Sequence, residues 1–189
     1  MRLSLSILFS LFLTITIIGQ NPIDSGFTNK AEAKNIMVNG LKEGSWLEYF
    51  SDNYTPLKVA DSDGAAYYTL TIYKTGKAEG IVREYFGTGN ICSETRYVHG
   101  KKNGVKKDFY SSGAIFTTTP YTNDSINGMY KEYYRSGKLK GEVPYVYGKK
   151  NGLMKYYYET GNPLLETVYT NGVEYTSKQY DQNGKEIKK

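Results

Sequence analysis

One cysteine, one histidine, one tryptophan and five prolines are all that the 189 residues hold of those four types. A single thiol, Cys92, closes no internal disulfide, so strand pairing and packing have to carry stability even in an oxidising compartment. At that position a small half-buried residue is expected rather than a reactive thiol. A single histidine, His99, leaves little for a hydrolase or transferase, which needs a base held beside a nucleophile. It stands in the turn "VHGKKNG", whose other copies carry Asn123 and Tyr147 in its place, as a turn filler would. Metal ligation finds no better support. "DSDG" (Asp61 to Gly64) has Val59 where a calcium loop places its first acidic ligand, and no closing glutamate follows. The glycines of "GTGN" lie between two strand-like runs, so the helix start that cradles a phosphate is missing. The expectation is a protein that is not an enzyme, with no catalytic, metal or cofactor site.

Tyrosine and glycine are what the chain has in quantity. There are 20 of each, with seven phenylalanines, and aromatics make up 15% of the residues. Rings with a wet hydroxyl suit a half-buried pleated surface, and frequent glycine suits many turns. A mean hydropathy of −0.55 beside so many rings points to a thin, ribbon-like core. Disorder is excluded, because disordered chains are poor in aromatic and β-branched residues.

The opening "MRLSLSILFSLFLTITIIGQ" is read apart from the fold. Arg2 is followed by an uncharged apolar run from Leu3 to Ile18 and a small residue, Gly19. That is the order of a secretory signal peptide over residues 1–19, with cleavage after Gly19 and export as the expectation; an uncleaved N-terminal anchor is the alternative. Losing Arg2 lowers the formal net charge from +5 to +4. Residues 20–36 are expected to be a linker or cap, and "FTNKAEAKNIM" (Phe27 to Met37) reads as a short helix or an extended cover over the first hairpin.

From residue 37 to 185 the chain repeats itself. Opening glycines stand at Gly44, Gly80, Gly104, Gly128 and Gly152, the last four 24 residues apart. The first gap is 36 residues, so the first unit carries twelve extra. The units run near 44–79, 80–103, 104–127, 128–151 and 152–185, with a tail at 186–189. After each glycine come six strand-like residues ("SWLEYF", "IVREYF", "VKKDFY", "MYKEYY", "LMKYYY"). In the last four units a tight turn with glycine third follows ("GTGN", "SSGA", "RSGK", "ETGN"), then a second strand and a second turn. Each unit is thus a β-hairpin, and the fold class expected is all-β: an elongated antiparallel meander of tandem β-hairpin repeats of about 24 residues. One hairpin cannot bury its rings alone, whereas a stack of hairpins can.

Alternation along each first strand assigns two faces. One carries Ile81, Arg83 and Tyr85, then Val105, Lys107 and Phe109, then Met129, Lys131 and Tyr133, then Leu153, Lys155 and Tyr157. The other carries Glu48, Glu84, Asp108 and Glu132 and ends in Phe50, Phe86, Tyr110, Tyr134 and Tyr158. Interlocking aromatic columns are expected to form the core. Two features are candidates for partner binding. The basic column Arg83, Lys107, Lys131 and Lys155 is either solvated surface charge or an extended site for an anionic partner. The insertion "SDNYTPLKVADSDG" (Ser51 to Gly64) is expected to project, with Tyr54, Leu57 and Val59 as contact residues.

Tandem units of this kind, "EYYRSGKLKGEVPYVYGKKNG" being the clearest, resemble the MORN-repeat family and more closely its variant form. The resemblance implies a twisted antiparallel sheet that serves as an interaction surface, linked in the family to protein scaffolding and to phospholipid. Bacterial relatives with the variant repeat are often labelled antitoxins or immunity proteins. The expected function is an exported protein-interaction module or scaffold. The alternatives are an antitoxin or immunity protein that neutralises a toxin, and a binder of anionic lipid or cell-wall glycan. Nucleic acid is not an expected partner, because the net charge is modest and the chain is read as exported.

Overall fold

A computed structural model describes residues 26–188; the signal segment read over 1–19 and its cut after Gly19 lie outside the described residues. Among those residues 17 strands form one open antiparallel sheet, a meander in which each long strand pairs with the long strand before and after it. The all-β hairpin array is therefore what the chain builds. Strand Lys77–Phe86 pairs with Tyr67–Lys74 on one side and Ile91–Val98 on the other, and the arrangement recurs through Gly104–Phe109, Ile115–Thr122, Gly128–Tyr133, Leu139–Val146, Gly152–Tyr157 and Pro163–Thr170.

Two turn types alternate, each dictated by local sequence. Within a hairpin the Tyr134 amide donates to Lys138 O at 2.9 Å and the Gly137 amide to Tyr134 O at 2.9 Å, with Gly137 at φ +82°. Between hairpins a two-residue turn places both central residues at positive φ, as at His99 (+52°) and Gly100 (+80°). Such a turn twists with the strands it joins, which explains its use between paired strands. Each later hairpin also holds a β-bulge at one place, between Glu84 and Tyr85, Asp108 and Phe109, Glu132 and Tyr133, and Tyr156 and Tyr157.

Residues opposite one another in an antiparallel pair share a face, so the register assigns every side chain. On one face Arg83, Glu94, Lys107, Thr118, Lys131, Glu142, Lys155, Glu166 and Lys178 lie in a line across the strands. We call this the ladder face. On the other, Tyr73, Tyr97, Tyr121, Tyr145 and Tyr169 lie opposite Gly44 or a neighbouring glycine of the series: Gly80, Gly104, Gly128 and Gly152. We call this the tyrosine face.

From Ser93 onward the buried side chains all lie on the tyrosine face: Ser93, Thr95, Thr117, Thr119, Val143, Met154 and Thr167. This corrects the expectation of a core made by interlocking rings. The buried positions are mostly small or β-branched, and the rings are half-buried lids over them. Gly141 shows the closeness of the cover, since a Cβ there would stand 2.5 Å from Cε1 of Tyr156. A sheet with no second layer can shield its small residues only under long side chains of its own strands.

The first hairpin is covered differently. Phe27, Tyr68 and Leu70 form a buried apolar cluster on the ladder face, with Ala33, Leu47, Tyr49, Ile72 and Tyr85 against it. The segment supplying Phe27 continues through a 3-10 turn at Lys30–Glu32 and into strand Ile36–Val38, which pairs with Leu41–Glu43. Lys30 Nζ lies 3.6 Å from the ring centroid of Tyr68, a cation held over a π face.

The insertion does not project as expected. Pro56–Leu57 pairs back onto Tyr49–Phe50, a 3-10 helix spans Val59–Gly64, and the Ala66 amide returns to Phe50 O at 2.9 Å. Tyr54, at φ +60°, stacks on Tyr67 with centroids 4.6 Å apart and planes at 19°. Stacking on the sheet recovers contact area that an extended loop would leave in water.

Candidate interaction surface

The ladder is built by two strands of opposite character. First strands supply the basic residues at their third position, and second strands interleave Glu94, Thr118, Glu142 and Glu166. The predicted basic column is therefore half of a stripe in which carboxylates separate the basic residues everywhere but at Thr118. Arg83 is only 6% exposed; its Nε donates to Glu94 Oε1 at 3.0 Å and its Nη1 to Phe27 O at 3.3 Å. It is a buried anchor for the N-terminal segment. Lys107 and Lys131 make no ion pair among the described residues, and Lys155 Nζ stands 3.9 Å from Glu166 Oε1. Glu142 and Glu166 accept from the Tyr157 and Tyr180 hydroxyls at 3.1 and 3.0 Å. Burial, and then the Glu142 charge, hold the Tyr157 phenol above its ordinary pKa, so it stays a donor.

The other three candidates lie elsewhere. Tyr54 sits on the tyrosine face, where burial, then Glu84, raises its pKa well above the usual phenol value. Leu57 is half-buried opposite Tyr49, and Val59 is 68% exposed at the start of its 3-10 helix. The structure thus brings Lys107, Lys131 and Lys155 into one stripe, buries Arg83 beneath the N-terminal cover and puts Tyr54 on the opposite face. Two turn lysines serve the fold: Lys102 lies 5.2 Å from the centroid of Tyr121 and Lys150 4.8 Å from that of Tyr169.

An apolar row beside the ladder was not singled out from sequence. Val105, Met129, Leu153 and Val168 lie on the ladder face and are 50%, 41%, 40% and 38% exposed. Pro120 and Pro144 stand opposite Val105 and Met129 and extend the row. The signal was present, since three of these residues recur at the 24-residue period, but alternation alone does not say which face is left uncovered. No group of three or more His, Cys, Asp or Glu is placed to hold a metal among the described residues. Burial, then Glu84, pushes the Cys92 thiol up to about 11, which keeps it protonated and poorly nucleophilic. No helix among the described residues is long and apolar enough to cross a membrane.

Comparison with known proteins agrees with this geometry. A family profile described as MORN repeat variant matches residues 78–99, 126–147 and 150–171, each one hairpin with the end of the turn that leads into it. The copy between the first two, Gly104 to Thr122, has the same strands and turns without a match. No curated protein matches the sequence. The chain is similar to a solved structure titled "Crystal Structure of TarM", at 17% identity and a TM-score of 0.37, over 57% of this chain and 20% of that one. Three matched copies in one uninterrupted array of equivalent hairpins identify residues 78–171 as MORN repeats of the variant form.

Proposed function

We propose that the chain is an exported, non-enzymatic module that binds a protein partner on its ladder face, between Val105 and Lys178. MORN repeats are in general protein or lipid interaction modules; what favours protein here is the make-up of the uncovered stripe. The small residues of the tyrosine face lie buried under its own long side chains, and among the described residues the N-terminal segment covers the ladder face only over the first hairpins. Beyond it, exposed Val105, Met129, Leu153 and Val168 run beside a ladder that holds Lys107 and Lys131 on either side of Thr118 and alternates in sign from Lys131 to Lys178. That single observation carries the reading. An apolar strip flanked by both signs of charge suits a protein surface of matching pattern. An anionic membrane or glycan would meet Glu142 and Glu166 as well as the lysines. The immunity-protein reading is the special case in which that partner is a toxin.

The test is capture from envelope extract and culture supernatant by the wild-type chain and by a Met129→Glu, Leu153→Glu variant with an unchanged far-UV spectrum. A protein retained through a high-salt wash by the wild type and lost by the variant is the expected result. Anionic lipid or glycan released by salt, or a protein held equally by both, would overturn it.

A further inference from the structure

Two sheet edges are open among the described residues, and they complement each other in the register that the repeat itself uses. At one end Ile36–Val38 pairs on one side, with Leu41–Glu43. It corresponds to the last three residues of a second strand: Val38, Asn39 and Gly40 enter a turn with φ +50° and +76°, as Val146, Tyr147 and Gly148 do with +45° and +81°. At the other end Val173–Tyr180 pairs with Pro163–Thr170, but on its outer side only Gln179 and Tyr180 find partners, in Ile187 and Glu186. It corresponds to a first strand, with Tyr175 in the place of Gly152. Inside the array these two kinds of segment always meet, as Gly152 with Tyr169 and Leu153 with Val168.

We propose that the chain associates head to tail with further copies of itself. Strand Ile36–Val38 of one copy adds to the outer edge of Tyr175–Lys178 of the next, Met37 opposite Tyr175 and Ile36 opposite Thr176. Both edges carry apolar side chains where unpaired edges are ordinarily blunted by charge or proline. Ile36, Met37 and Val38 are 46%, 54% and 47% exposed, and Val173 and Tyr175 are 61% and 67%. Room for the joint is already made. Before Ile36 the chain leaves the row at Asn35, φ +49°, where the amides of Lys34 and Asn35 donate to Ser45 O at 2.9 and 3.0 Å. The segment then runs over the ladder face, leaving clear the positions that Glu186–Ile187 of the incoming copy would fill. Two partial strands thereby complete one. At internal joints a tyrosine faces a glycine; here the ring is Tyr175, and the flexible Met37 faces it. Because the two surfaces differ, the contact is heterologous and propagates into rings or filaments.

Cysteine trapping in a Cys92→Ser background tests the register. Met37→Cys and Tyr175→Cys chains, mixed and mildly oxidised, are expected to form the mixed dimer in preference to either homodimer, since opposed Cβ atoms lie about 4.5–5.5 Å apart. A chain carrying both substitutions should give a ladder of covalent multimers. Sedimentation of the chain without cysteine substitutions should show mass rising with concentration, and Tyr175→Lys, at an exposed site, should return it to monomer. The proposal is overturned by a monomer at every concentration, by homodimers matching the mixed dimer, or by assembly indifferent to Tyr175→Lys.

Discussion

The Tyr134 hydroxyl donates to the backbone carbonyl of Tyr157 at 2.7 Å, tying one hairpin to the next. The same bond recurs from Tyr110 to Tyr133 O at 2.8 Å and from Tyr158 to Tyr180 O at 2.9 Å. Each reaches from the aromatic that ends a first strand to the equivalent strand of the following unit. Phe50 and Phe86, at the same position in the first two units, lack the hydroxyl. Across this column the repeats are held by backbone as well as by ring packing.

Tyr134→Phe removes this bond and keeps the ring. It should cost about 1 kcal/mol of unfolding free energy, the net worth of one hydrogen bond, read as a lower denaturant midpoint at unchanged slope. Loss of nothing measurable would mean that water replaces the phenol without penalty.

Gly141 and Tyr156 are an exchanged pair. At equivalent places Ser93 faces Asp108 and Thr117 faces Glu132, whereas Gly141 faces Tyr156. Gly141→Thr alone drives a side chain into the ring and should destabilise by about 1–3 kcal/mol, as overpacking does. Combining it with Tyr156→Glu recreates the neighbouring pair and should recover most of the loss. A double-mutant cycle in thermal melts measures the coupling; additive effects would show that the ring does not set the choice of glycine.

Alkali should unfold the protein at a pH set by its tyrosines. Burial, and then Glu132, holds the Tyr130 phenol up at about 12, against 10.0 for a free one. Burial and acidic neighbours also raise Tyr73 and Tyr156. Because the folded pKa is the higher, the unfolded chain binds fewer protons in this window, so raising pH favours unfolding. The stabilisation is complete below 10.0 and lost as pH climbs toward about 12. Melting followed across that window should show the decline, and Tyr130→Phe should make it shallower.

The proposed export makes a prediction at one peptide bond. N-terminal sequencing of the protein recovered from envelope or medium should begin at Gln20. A sequence beginning at the original N-terminus in the membrane fraction would instead identify a retained anchor.

Much of this was legible in the residues. The turn glycines at their 24-residue spacing determine hairpins, since a residue at positive φ closes each turn, and period-2 alternation determines which side chains of one strand share a face. His99 could be read as a turn filler because Asn123 and Tyr147 replace it, and its φ of +52° gives the reason. What alternation within a strand does not contain is its relation to the next strand. The basic column was visible in the first strands, but its pairing with Glu94, Glu142 and Glu166 depends on register, which the two-residue turns and the recurring bulge set together. Nor could the buried face be chosen from sequence, because both faces carry aromatic and aliphatic residues. Long side chains folding over threonines from Thr95 to Thr167 made that choice. The N-terminal segment made the second, by seating Phe27 on Leu70 and Arg83. The chain's local chemistry determined the hairpins; only their packing against one another decided which surface remained for a partner.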